Sequence, residues 1–331
     1  MAARLRRQAA WCEAGGSPLY EHLLGKAASD VEVEGPVWAV LEPYADEPGS
    51  AAVALRFMAA VHRLVLDGTL HELARHYPST GGEGDGHTIW PLFRQALIDH
   101  HDEVRTLIAR PCQTNEVARC AALFGGFLEV AHRTGKPLRI LEIGASAGLN
   151  LRWDLYRYES ADGAWGDPES PVTFGHHFDV PPPMDRAATV AERKGCDLSP
   201  VDPTSEDGAL TLRSSVWADQ LGRLSLLDGA IEVARTAPIE LEKADAVSFL
   251  ERELARSTPD VATVIFHSIV MQYVAPEDRD RIAQLIAEAG VHRLGMEPAD
   301  AFEIRLDGEL LGTCGPHGTH VRWNVDSTQT K

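Results

Sequence analysis

The sequence predicts an α/β fold, with a parallel sheet wrapped by helices behind an N-terminal helical region. Three observations carry this. Residues up to 137 read as amphipathic helices. After Pro137, short apolar runs alternate with helix-like segments, which is the pattern of a parallel sheet. The first of these runs, Leu138–Ile143, passes into a turn of small residues, Gly144-Ala-Ser146-Ala-Gly148, that opens a further helix-like stretch.

The elements follow in order. Ser50, after Pro48-Gly49, is placed to cap a helix bearing Val53, Phe57, Val61, Leu64 and Val65 on one side, and Gly68 to end it. The glycine-rich 81–86 is a loop. A second helix is expected over 90–110, with Phe93, Leu97, Val104 and Ile108 at helical spacing. A third starts at Asn115 as its cap, carries Val117, Cys120, Phe124, Phe127 and Leu128, and ends at Gly135 before Lys136-Pro137. Strands are expected at 138–143, 188–194, 238–243, 261–267 and 291–297. Two more, 302–306 and 309–313, are joined by Asp307-Gly308, a hairpin signal. A further apolar strand is placed at 320–323. The stretch 157–186, rich in Gly, Pro and Asp, is too long for a simple βα connection and reads as an inserted lid or substrate loop.

Composition narrows the function. The chain has 331 residues, 44% of them hydrophobic, enough for a sizeable core. Its 49 Asp and Glu outnumber 31 Lys and Arg, and a net charge of −18 repels phosphate backbones, so no nucleic-acid partner is expected. Arg4, Arg6 and Arg7 read as a solvated helix face. Cys12, Cys112, Cys120, Cys196 and Cys314 form no CxxC pair, so neither a disulfide framework nor a zinc knuckle is signalled. The N-terminus has basic residues but no apolar segment of a secretory signal. The most apolar run, 261–274, is too short to span a membrane and contains His267, Ser268 and Gln272. The expectation is a cytoplasmic protein with no membrane contact. Oligomeric state leaves no mark in the sequence.

The turn after 138–143 is the most legible feature. A ligand approaching it closely needs residues without bulky side chains, and a helix start offers N–H groups to a carboxylate or phosphate. The run Glu142-Ile-Gly144-Ala145-Ser146-Ala-Gly148 resembles motif I of class I S-adenosylmethionine-dependent methyltransferases, acid-x-Gly-x-Gly-x-Gly, departing from it at Ser146. Gly195-Cys-Asp197-Leu198-Ser-Pro, after the second strand, resembles the methyltransferase segment whose acid grips the ribose hydroxyls, a task that suits a carboxylate. The competing reading makes Asp197 a turn cap. Asp245-Ala246, after the third strand, sits where such enzymes often contact adenine, or else Asp245 caps the next helix. His267-Ser268 ends the fourth strand, at the sheet's ligand-bearing edge. His267 is the candidate base, against the alternative of a hydrogen-bonded structural histidine. His176-His177 and His317-x-x-His320 lack an acidic third ligand, and no metal is expected.

Segments along nearly the whole chain are similar to a bacterial family labelled only as a domain of unknown function, grouped with methyltransferase-like folds. They are 17–20, 62–68, Tyr77-Pro78-Ser79, Thr114–Arg119, 142–151, Trp217-Ala218-Asp219-Gln220 and 267–273. The resemblance implies a Rossmann-like seven-stranded methyltransferase sheet over 138–331, with a helical cap over 1–137. It implies S-adenosylmethionine held by Glu142, Gly144, Ala145, Ser146, Gly148, Asp197, Leu198, Asp245, Ala246, His267 and Ser268. A small-molecule substrate would meet Asn115, Glu116, Gln272 and Tyr273, with Trp217, Asp219 and Gln220 as further candidates for the cleft wall. The family implies no particular substrate.

Three rivals stand beside methyl transfer. Gly144-x-Ser146-x-Gly148 fits a serine hydrolase elbow with Ser146 as nucleophile, Asp245 or Asp260, and His317, but that fold needs several strands before the elbow. A dinucleotide oxidoreductase fails at Ser146 and Leu149 of G-x-G-x-x-G. A non-catalytic S-adenosylmethionine-binding protein remains open, because the proposed chemistry rests on His267 alone.

Overall fold

The computed structural model describes residues 1–324, and the chain divides into two compact units. One comprises Met1–Thr114 with Ser205–Ser225, the other Asn115–Thr204 and the chain from Leu226. The helices are α1 (Ala2–Ala14), α2 (Pro18–Glu32), α3 (Pro36–Leu41), α4 (Val53–Leu66), α5 (His71–Ala74), α6 (Gly86–Asp99), α7 (His101–Ile108), α8 (Arg119–Thr134), α9 (Glu206–Ser215), α10 (Leu221–Thr236), α11 (Ala246–Leu254) and α12 (Pro276–Ala289). The strands are β1 (Leu138–Ile143), β2 (Arg157–Ser160), β3 (Gly163–Trp165), β4 (Thr173–Phe174), β5 (Phe178–Val180), β6 (Val190–Asp197), β7 (Glu240–Lys243), β8 (Ala262–Ser268), β9 (His292–Pro298), β10 (Phe302–Leu306), β11 (Glu309–Cys314) and β12 (Val321–Trp323).

The first unit is helical. In α4 the residues Val53, Phe57, Val61, Leu64 and Val65 are all buried, as their spacing requires. Ser50 does not cap this helix. It lies in a separate 3₁₀ turn, Gly49–Ala51, and α4 starts only after Ala52, whose φ of 50° redirects the chain. The run Gly49–Leu66 is apolar and long enough for a membrane span, yet half of it is buried in the protein's own core. The single helix expected over 90–110 is two, because His100 leaves helical geometry between α6 and α7. Asp85 caps α6, accepting from His87 N–H at 3.1 Å.

Four of the family-like segments meet inside this unit. Asp219 Oδ1 accepts from Ser17 Oγ at 2.6 Å and Oδ2 from Leu19 N–H at 3.1 Å, which ties the start of α2. Gln220 Nε2 donates to the Gly16 carbonyl at 2.6 Å. Trp217 lies 6.3 Å from Tyr20, ring to ring. His62, fully buried, bridges Ser79 Oγ at 2.8 Å and the Ser214 carbonyl at 3.2 Å. Trp217, Asp219 and Gln220 therefore brace the α1–α2 turn of the first unit, a structural role of the kind that stands beside the cleft-wall expectation.

The second unit is built on a mixed sheet of nine strands among the described residues, in the order β5-β12-β11-β10-β9-β8-β1-β6-β7. The expected seven-stranded sheet is thus corrected. β12 extends the antiparallel end, and β5, three residues long and followed by three prolines, pairs in parallel with β12. So short a strand leaves no periodicity to read. The strands β7-β6-β1-β8-β9 are mutually parallel. β1 and β8 are buried at every residue, which is why they read as continuous apolar runs. Asp307 and Gly308 take φ of 52° and 89°, as a two-residue I′ hairpin requires.

The stretch expected as a loop, 157–186, instead holds β2 to β4, a three-stranded sheet in the order β3-β2-β4, as well as β5. Aromatic side chains supply its core. Phe124 of α8 stacks on Tyr158 at 4.0 Å, and Trp165 and Phe174 lie 5.3 Å from Phe124 and 5.0 Å from Tyr158.

Candidate functional site

β1 lies between β6 and β8, so the chain leaves it towards opposite edges of the sheet, and the carboxyl ends of these strands outline the crevice where such sheets hold ligands. Glu142 stands at the end of β1, Asp197 ends β6, Ser268 ends β8, and Asp245-Ala246 follows β7. In register, Glu142 faces Gly195 on one side and Phe266 on the other. The sequence-predicted cofactor residues are therefore drawn from the carboxyl ends of four adjacent strands.

The turn 144–148 is tightly wound, with Gly144, Ser146 and Gly148 at φ of 68°, 52° and 64°. Serine rarely adopts this backbone, and holding Ser146 there costs on the order of 1 kcal/mol. A Cβ on Gly148 would stand 2.3 Å from Ile239 Cδ1, so packing as well as conformation demands glycine. The amides are already in use. Ala145 N–H donates to the Cys196 carbonyl at 2.9 Å and Ser146 N–H to Asp197 Oδ2 at 2.8 Å. Ala147 and Leu149 N–H both donate to Asn115 Oδ1, at 3.2 and 3.0 Å. Gly148 N–H donates to the Ala145 carbonyl at 2.7 Å. The expected helix start with open N–H groups is corrected on both counts. A 3₁₀ segment, Leu149–Leu155, follows in place of an α-helix, and protein oxygens fill the amide concavity. The reason lies in the residues: Leu149 to Trp153 are all buried, so this segment has no solvent face and acts as a core plug.

Asp197 Oδ1 also accepts from Ser199 N–H at 2.8 Å, so its carboxylate clamps two turns together. Asp245 Oδ1 accepts from Ser248 N–H at 2.8 Å and caps α11, and these contacts hold its carboxyl below the usual range. Both residues thus fill the capping roles weighed against ligand binding, though each carboxylate keeps unused lone pairs.

Glu142 differs from them. Its side chain is buried, and Oε2 has no hydrogen-bond partner among the described residues. Burial, then the neighbouring Asp197 charge, push its carboxyl well above the ordinary range, against Arg119, Arg152 and a hydrogen bond from Asn150. Asn150 Oδ1 is itself held by the Cys120 thiol at 3.3 Å.

His267 is buried in β8, with both ring nitrogens engaged. Nδ1 lies 2.6 Å from Glu297 Oε1, and Arg293 Nε donates to Nε2 at 3.2 Å, which places the ring proton on Nδ1. Burial opposes the Glu297 charge, yet His267 and the amides of Val270 and Met271 hold that carboxyl below its ordinary range. The expected base is therefore held on both sides by protein. The Ser268 carbonyl accepts from Arg119 Nη1 at 3.0 Å. Leu198, Gln272 and Tyr273 are exposed at the same edge.

Asn115 and Glu116 are brought to this edge, but not as a helix cap, since α8 begins at Arg119. The segment before α8 fastens the turn 144–148 through Asn115, the end of β8 through Arg119, and the turn after β11 through Glu116, whose Oε2 lies 3.2 Å from His317 Nδ1. Sequence reasoning missed Asn150, Arg119 and Glu297. The first two lie inside the family-like segments, whereas nothing near Glu297 marks it. A cavity of about 610 Å³ opens at the sheet's amino edge, lined by Lys136, Arg139, Arg256, Thr258, Thr263 and His292, and no candidate residue lines it. No group of three metal-ligating side chains is found among the described residues.

A family model described as "Uncharacterized protein conserved in bacteria (DUF2332)" matches residues 2–323, and the chain belongs to that family. No curated protein and no solved structure matches it.

Proposed function

We propose that this family member binds S-adenosylmethionine at the carboxyl edge of β1, β6 and β8 and transfers its methyl group to a small molecule. The observation that carries the reading is the buried Glu142 carboxyl at the switch point, with Oε2 unpartnered among the described residues. Such an acceptor is costly to bury and offers a seat for a ligand's ammonium or hydroxyl donors. Gly144, Ala145, Ser146 and Gly148 would form the floor against the ligand. Asp197, with lone pairs left beyond its two amide bonds, would take the ribose hydroxyls beside Leu198. Asp245 and Ala246 would flank the base.

When bound, the cofactor supplies an electrophilic methyl group on a sulfonium. The chain's part is to hold and align, which for a displacement of this kind supplies most of the acceleration. Glu142 anchors, Asn115 and Asp197 keep the turn in shape, and the His267–Glu297–Arg293 cluster fixes the end of β8. The net charge of −18 supports a small acceptor over nucleic acid.

Calorimetric titration with S-adenosylmethionine and S-adenosylhomocysteine tests this. Saturable binding of both is expected, and no heat from either in folded protein overturns the reading. One observation favours the hydrolase alternative: Ser146 takes the positive φ of a nucleophile elbow. β1 is the first strand of the sheet, whereas that fold needs several before the elbow, and Asp245 is engaged in capping α11, which weighs against it.

A further inference from the structure

One face of β9 carries Arg293, Gly295 and Glu297 at alternate positions, and the His267 ring of β8 lies against its middle. Gly295 leaves the room, since a Cβ there would stand 2.8 Å from His267 Cε1. The ring joins the two ends of the row, Nδ1 lying 2.6 Å from Glu297 Oε1 and Nε2 3.2 Å from Arg293 Nε. Glu297 Oε1 takes the Val270 and Met271 amides as well, at 3.0 and 3.3 Å. Three donors thus share one oxygen. The other, Oε2, is buried with no hydrogen-bond partner among the described residues.

The neighbouring cations are spent elsewhere. Arg293 turns Nε to the ring. Directly opposite Glu297 on β10 stands a second carboxylate, Glu303, and Arg305 Nε donates to that one at 2.7 Å. Like charges at facing positions of neighbouring strands repel. Burial opposes ionisation of Glu297, yet the ring and the two amides hold its carboxyl below the ordinary range, so the unmatched oxygen belongs to a charged group. A buried, unbonded carboxylate oxygen is costly and is best answered by a charged donor.

The row is tied to the candidate site. Val270, whose amide Glu297 holds, lies on the turn 144–148, for a Cβ on Gly144 would stand 2.6 Å from Val270 Cγ2. The residues that follow, Met271–Tyr273, form a 3₁₀ turn with Gln272 and Tyr273 exposed. Glu297 is therefore one residue removed from the proposed cofactor floor and bonded to the segment expected to meet the substrate.

We propose that Glu297 Oε2 seats an ammonium group of the acceptor, so that the acceptor is a small molecule carrying a primary amine. This rests on the methyl-transfer reading. The ammonium is a handle and not the reacting atom, since a protonated nitrogen has no lone pair with which to attack. A cation at Oε2 also relieves the repulsion between Glu297 and Glu303.

Calorimetry on the full chain, with S-adenosylhomocysteine present, tests it. The probes are ethanolamine, tyramine and glucosamine, each beside its N-acetyl form, which loses the charge. At least one amine should bind saturably and about tenfold or more tighter than its N-acetyl form, as a hydrogen bond between charged groups gives. Glu297→Gln should erase that preference. In wild type, the His267 Nδ1 ring proton, followed by NMR, should shift when that amine is added, a readout that does not depend on the variant folding. Binding of none of the three amines, equal affinity for amine and N-acetyl forms, a preference that survives in folded Glu297→Gln, or an unmoved His267 proton overturns the seat. Absence of S-adenosylmethionine binding in wild type fells the methyl-transfer reading itself, whereas cofactor binding without any amine preference fells only this proposal.

Discussion

Replacing Asn115 with alanine should loosen the turn 144–148 more than any other single change at its rim. Asn115 Oδ1 accepts from two backbone amides, Ala147 and Leu149, at 3.2 and 3.0 Å. Both residues are fully buried, so water does not replace the lost oxygen without opening the turn. A buried N–H left without an acceptor costs roughly 1–2 kcal/mol, which makes about 3 kcal/mol for the pair. Native-state hydrogen exchange reads this directly. The amides of Ala147 and Leu149 should exchange about 150-fold faster, the equivalent of 3 kcal/mol. Amides of α12 should be unaffected, and Asn115→Asp, which keeps an oxygen acceptor, should hold both turn amides slow. Exchange within about threefold of wild type in Asn115→Ala would refute the claim that this side chain holds the turn.

Two further outcomes concern pH. Burial lowers the His62 ring from 6.5 to about 4 in the fold, so as pH falls from about 6.5 to about 4 the unfolded chain takes up a proton that the folded chain refuses, at a cost of about 3 kcal/mol. His62→Gln should flatten the loss of urea resistance over that window, and an unchanged slope would sink the assignment. Burial raises the Glu142 carboxyl well above its ordinary value in the fold and not in the unfolded chain, so its cost to stability grows as pH rises above the ordinary glutamate value. Glu142→Gln should melt higher than wild type at about pH 7, with the gain vanishing near pH 4, and should bind S-adenosylmethionine more weakly. A lower melting point at neutral pH would contradict the burial argument.

What the sequence disclosed follows a physical divide. β1 and β8 were legible because strands buried on both faces must be apolar throughout, and the β10–β11 turn because Asp-Gly supplies two positive φ angles. The heptad-like face of α4 was legible for the same kind of reason. Partnerships between distant residues were not. Asn115 looked like a helix cap because asparagine favours that place, but its acceptor serves amides 32 and 34 residues away. The 157–186 stretch looked like a loop because its glycines and prolines hid the short alternation of β2, in which Tyr158 is buried between the less buried Arg157 and Glu159. At the site, the glycine turn and the carboxylates were found by position. That Asp197 clamps the turn while Glu142 Oε2 stands without a partner among the described residues depends on distances no spacing rule contains.

The bond from Ser17 to Asp219 joins residues 202 apart. At a synthesis rate of roughly 5–20 residues per second, the start of α2 waits about 10–40 s after emerging before its partner exists. His62 waits similarly for Ser214, 152 residues later. The N-terminal helices thus leave the ribosome with part of their core unfinished, and a chain stopped near residue 137 would never receive the missing pieces. Such a truncation should expose apolar helix faces and be held by chaperones or aggregate, while the whole chain closes the N-terminal unit only after β1, β5 and β6 have been made.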